Sequence, residues 1–217
     1  PVAAQVTLTQ TATGVIVEID GKPFTVFHTG GEDLNRVYLH PLRAASGTVV
    51  NRSVPAGQVP GETVDHPHHA GLFYGHGDVN GFDFWANEAR QKGPKKGKIV
   101  LEKAGPVKSG KKSGTIQASF NWLDPQGNTL LKEARKMVFH ADRDRRVMDI
   151  YVTLTAAVDA KFGDTKEGTF AIRLATPLEE PYPKAKGVAR TGKMVNAEGL
   201  ETEKNAWGKR SAWVDYA

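Results

Sequence analysis

Apolar and polar residues alternate along most of this chain. Val6 and Leu8, then Val15, Val17 and Ile19, recur at period two, and Asp20-Gly21 marks a turn into a partner segment. The stretch from Gly97 to His140 repeats the form, with breaks at Gly105-Pro106, Lys108 to Gly114 and Asp124 to Asn128. Further on, Val147, Asp149, Tyr151 and Thr153 share one face of a strand, and Met148, Ile150, Val152 and Leu154 the other. "GTFAIRLATPL" follows as another strand. Only Phe82 to Arg90 reads as a short helix, with Asp83 as its cap. The pattern predicts an all-β protein, an antiparallel β-sandwich, supersandwich or distorted barrel with few or no helices. No repeat, low-complexity tract or linker divides residues 1–217, so one domain is expected.

The final "GKRSAWVDYA" alternates and stops without a turn, which would leave an unpaired edge. The expectation is a chain truncated at its C-terminus, with a missing C-terminal segment or a second chain covering that edge.

Composition narrows the picture. With 39% hydrophobic and 24% charged residues, 217 residues can bury a substantial core. No apolar run approaches the roughly 18 residues that cross a bilayer, so no membrane partner is expected. Cysteine is absent, which leaves His, Asp, Glu and water as metal ligands. The start at Pro1, with no methionine and no signal pattern, favours an exported protein, periplasmic or extracellular. A net charge of +5 raises nucleic acid as a partner. The basic run Arg90 to Lys98 sits among Gly and Pro without interleaved aromatics, as solvated turns do, so no nucleic-acid partner is expected.

One segment breaks the strand pattern. "DHPHHAGLFYGHGDVNGFDFW", Asp65 to Trp85, holds four of the seven histidines together with acids, glycines and aromatics. Pro67 forbids a regular helix, and with it a zinc-binding helical His pair. In an extended backbone His66 and His68 would point one way and His69 the other, with His76 and Asp78 sharing a face. His66, His68 and His76 form one candidate ligand set, for zinc or copper. Alternatively, His66, His68, His69 and His76 are acid/base groups, oriented by Asp65 and Asp78. The aromatics suit a sugar site, although Phe82 and Phe84 alternate with Asp83 as buried strand residues would. A single histidine in a β protein is usually a structural hydrogen-bonder, but clustering of titratable groups points to a site. Arg43 and Arg52 could bind a hydroxyl-rich or carboxylate ligand, or pair with surface acids. His28, His40 and His140 are scattered, and His140 reads as structural.

"YLHPLRAASGTVVNRS", the Asp65–Trp85 block and the terminal "WVDY" together resemble the PmoA-like domain family of bacterial proteins. That label borrows the name of a membrane methane-oxidation subunit, and methane oxidation is not carried over. In that family the pattern continues past the "WVDY" block. "VNRS" at Val50–Ser53 ahead of "HHAGL" at His68–Leu72 is similar, more loosely, to aldose-1-epimerases of the galactose mutarotase type. That similarity implies a β-supersandwich, histidine acid/base chemistry and an acidic partner.

The leading expectation is an exported carbohydrate-processing protein, of epimerase, lyase or hydrolase type. His66, His68, His69, His76, Asp65 and Asp78 would be catalytic, Arg43 and Arg52 would bind substrate, and Trp85 would stack on a sugar ring. A His/Asp-ligated metalloprotein and a non-catalytic carbohydrate-binding module are the alternatives.

Overall fold

The computed structural model describes residues 5–30, 35–86, 93, 95–182 and 187–217. The fold is an all-β sandwich of antiparallel sheets. The first sheet has the order β1 (Val6–Thr11), β2 (Gly14–Ile19), β3 (Lys22–His28), β4 (Tyr38–Leu39), β5 (Leu72–His76) and, beyond it, β10 (Gly168–Ile172). The second is a meander of β6 (Lys98–Lys108), β7 (Ser113–Leu123), β8 (Thr129–His140) and β9 (Met148–Ala156). A small sheet joins β11 (Met194–Asn196) to β12 (Val214–Tyr216). No helix among the described residues is long and apolar enough to cross a membrane.

The local chemistry explains the register. Asp20 and Gly21 both take positive φ and close a two-residue turn between Ile19 and Lys22, which matches the twist of the paired strands. Asp124 closes the β7–β8 turn by accepting the amides of Gln126 and Asn128 at 2.9 and 2.8 Å. Gly105-Pro106 does not end a strand as expected. β6 continues through it with a register shift between Ala104 and Val107, because an edge strand tolerates the missing amide at a bulge. The inner faces meet in one core, where Phe24 packs edge-on against Phe139 at 6.0 Å and Phe27 against Phe120 at 6.2 Å.

Three boundaries differ from the expectation. Phe82–Ala86 form bridges and a bend, not a helix, although Asp83 makes the capping bonds to the amides of Trp85 (2.7 Å) and Ala86 (3.2 Å). Residues 87–90 of that expected helix lie outside the described residues, as do 90–92 and 94 of the basic run. At the end of the chain only Val214–Tyr216 is strand, and it is paired with β11, while an unforeseen short helix, α1, spans Glu203–Ala206.

Candidate active site at the histidine turn

Strand β5 separates the histidine segment into two places. Leu72 and Tyr74 face the core between the sheets, whereas Phe73 faces outward and packs with Tyr38 and Trp85. His76 follows Leu72 and Tyr74 by alternation, so it stands on the other face of the sheet from the group around Phe73. There it donates through Nε2 to the Gly163 carbonyl at 3.0 Å, beside Phe162. Asp78 closes a turn by accepting the Gly81 amide at 2.8 Å. Neither joins the other histidines. The expected ligand set of His66, His68 and His76 is therefore not assembled, and the described residues contain no group of three or more His, Cys, Asp or Glu placed to hold a metal ion.

His66, His68 and His69 do come together. The extended backbone expected for them is replaced by a turn: Pro67 takes its second position, and the His69 amide donates to the His66 carbonyl at 2.9 Å. His66 has a φ of 43°, and the turn brings its ring parallel to that of His69, with centroids 5.0 Å apart. His68 meets His69 edge-on at 4.4 Å and His66 at 5.8 Å. Gly71, at a φ of +66°, redirects the chain into β5, and a Cβ there would strike the Leu39 carbonyl.

Two buried arginines hold this turn from beneath. Arg52, 1% exposed, donates to the carbonyls of Thr63 (3.1 Å), Asp65 (2.5 Å), His66 (2.7 Å) and His69 (3.3 Å) and to the Asp65 carboxylate (3.2 Å). Arg36 donates to the His68 carbonyl at 2.6 Å, with its guanidinium carbon 3.4 Å from the centre of the Phe73 ring. Arg52 is thus a clasp on the backbone rather than the substrate-binding residue expected. Its two terminal nitrogens bond to the protein's own oxygens, and its buried Nε has no hydrogen-bond partner among the described residues. Arg43 binds the Gly47 carbonyl at 3.1 Å in its own hairpin and is not part of the turn's support.

Charge on the turn follows from these neighbours. Burial, then Arg36 and His66, hold His68 at a pKa of about 4. Burial, then His68, His66, Arg173 and Arg36, hold His69 at about 3. Both are neutral at pH 7. Trp85 Nε1 donates to His69 Nε2 at 3.1 Å, which leaves the His69 proton on Nδ1. Trp85 itself is 7% exposed and wedged against Phe73, so it offers no face for a sugar to stack on, contrary to the expectation.

Asp65 and His66 are the exposed pair. Asp65 Oδ2 lies 3.1 Å from His66 Nδ1, and about half of each side chain is accessible. Burial alone would raise the Asp65 pKa, but Arg173, His66 and Arg52 outweigh it and keep the carboxylate below its usual range. Arg173 binds Asp65 at 2.7 Å and Glu179 at 3.0 Å, and Glu179 in turn receives Arg190 at 3.0 Å and Thr63 at 2.9 Å. The carboxylate is fixed and faces Nδ1 of the imidazole, while Nε2 is left without a contact from Asp65.

The family match covers residues 14–217, which include every one of these groups. The chain belongs to the DUF6807 family, a family of unknown function. No curated protein matches it. No solved structure matches it either.

Arg36, Arg173, Glu179 and Arg190 were missed as parts of the site. Arg36 had a signal in the sequence, a cation set directly against the apolar run Val37-Tyr38-Leu39. Arg173 similarly ends the apolar Phe170-Ala171-Ile172. Glu179 and Arg190 lie more than a hundred residues beyond the turn, and no local pattern connects them to it.

Proposed function

We propose that the Asp65–His66 pair is a general base acting on a hydroxyl-rich, sugar-like substrate. The observation that carries this reading is the 3.1 Å contact between Asp65 Oδ2 and His66 Nδ1, with the carboxylate anchored by two arginines and the imidazole at the surface. A fixed carboxylate that selects the imidazole tautomer gives an acid/base dyad. His68 and His69, neutral beside it, suit hydrogen bonding to substrate hydroxyls. Phe73, Phe84 and Trp85 are buried, so recognition in this reading rests on hydrogen bonds rather than stacking.

A non-catalytic carbohydrate-binding site is the second reading. It is favoured by one observation: at about 4 and 3, the pKa values of His68 and His69 lie too far below neutrality for efficient proton exchange at pH 7. Proton NMR in deuterated buffer over a panel of neutral sugars, uronic acids and oligosaccharides separates the two. Anomer interconversion, bond cleavage or deuterium incorporation supports the dyad. Binding without any of these supports the second reading, and neither binding nor turnover overturns both.

A further inference from the structure

The two edges of the second sheet differ. β6 carries the devices that keep an edge strand from pairing with another chain. It has Lys98, Lys103, Lys108 and Pro106, and its register shifts between Leu101 and Lys103 and again between Ala104 and Val107. β9, at the opposite edge, has none of these. Its sequence, MDIYVTLTA, contains no proline, glycine, lysine or arginine, and it pairs with β8 along its whole length without a shift. Its single charge is turned to β8, where Asp149 Oδ2 lies 2.8 Å from His140 Nε2.

The free main-chain groups of β9 follow from its pairing. The His140 amide donates to the Val147 carbonyl at 3.0 Å, and the Ala157 amide to the Leu130 carbonyl at 2.9 Å, one at each end of the strand. Odd-numbered residues therefore direct their main-chain groups to β8. Met148, Ile150, Val152 and Leu154 direct theirs to the open edge. The side chains of the same four residues face the first sheet and are only partly buried. Beyond them lies a cleft of about 630 Å³, on whose far side Phe170 of β10 is 54% exposed.

Symmetry and charge select the partner. With Val152 opposite its own copy, two antiparallel β9 strands set Ile150 against Leu154, Met148 against Ala156, Tyr151 against Thr153 and Asp149 against Thr155. Every residue of the strand is paired, inward apolar side chains meet one another, and no charge meets a like charge. The contact is isologous, so it closes, whereas pairing with a different strand of a second copy would leave one β9 open to further addition. We propose that two copies of this chain join through β9, antiparallel about Val152, merging two four-stranded sheets into one continuous sheet. The second β9 then carries its inward apolar side chains across the mouth of the cleft.

Sedimentation equilibrium of the chain tests this. A monomer–dimer equilibrium with a dissociation constant of about 1–100 µM is expected for a small interface. Val152→Lys sets two inward lysines against each other and should weaken association at least about tenfold, with circular dichroism checking its fold. The chain has no cysteine, so single cysteines report the register without background. Val152→Cys should cross-link to a dimer under a mild oxidant, because the paired Cα atoms stand about 5.5 Å apart. Leu154→Cys, whose copy stands opposite Ile150, should not. A monomer throughout that concentration range overturns the proposal. So does a dimer unweakened in folded Val152→Lys, or one that cross-links as readily through Leu154→Cys as through Val152→Cys.

Discussion

The indole N–H of Trp85 donates to Nε2 of His69 at 3.1 Å, with the two rings perpendicular. This bond fixes the tautomer of the innermost histidine and ties the turn to the outer face of β5. Nitrogen-15 NMR of the imidazoles should show His69 protonated at Nδ1, and a proton on Nε2 would contradict the assignment. Trp85→Phe should lower stability by about 1–3 kcal/mol in urea unfolding, from the lost hydrogen bond plus reduced packing.

The two arginines once expected to bind substrate should behave differently on mutation. Arg52→Met strips donors from four carbonyls and one carboxylate at a buried position, so a loss of about 3 kcal/mol is expected. Arg43→Met removes one exposed contact and should fall within about 0.5 kcal/mol of the parent. Equal effects in urea unfolding would contradict the clasp.

Gly71→Ala should destabilise by about 2 kcal/mol or more. It combines a positive φ with a collision at the Leu39 carbonyl. Thermal unfolding checks this, and a neutral result would mean that the turn can re-form with a different exit.

Acid should weaken the fold before carboxylates titrate. His68 and His69 have folded pKa values of about 4 and 3, against 6.5 unfolded, so the unfolded chain binds more protons once the pH falls below about 6.5. The stability they confer by staying neutral is complete above about 6.5 and is lost as the pH falls towards 4. Asp65, with its folded pKa lowered from 3.8, loses its contribution only below that value. His69→Gln keeps an acceptor for Trp85 but does not titrate. It should narrow the difference in unfolding free energy between pH 7.5 and pH 5, and an unchanged difference would contradict the assigned shift.

The sheets were legible in the sequence because period-two alternation and turn chemistry are local. Asp20-Gly21 and Asp124 made their turns where their residue types required. Strand β6 ran past Gly105-Pro106 because edge position, which decides whether a proline is tolerated, is a property of the whole sheet. In the same way, the concentration of histidines pointed to a candidate site, but not to which of them meet. His76 lies only seven residues from His69 and yet belongs to the other face of β5. Pro67 signalled the absence of a helix correctly, and the turn it made instead overrode the alternation expected for His66, His68 and His69. Arg52 was within reach of the sequence reading, but Arg173 and Glu179 come to Asp65 from a segment more than a hundred residues away, and only the fold shows that they meet it.

Turnover by His66→Gln and Asp65→Asn tests the dyad most directly, on whichever sugar the wild-type protein converts. Loss of the base should cut kcat by about 100-fold or more with thermal unfolding nearly unchanged in His66→Gln. Asp65→Asn should retain part of the rate, since the imidazole remains but its tautomer is no longer selected. Full activity in folded His66→Gln would contradict the assignment of Nε2 as the base.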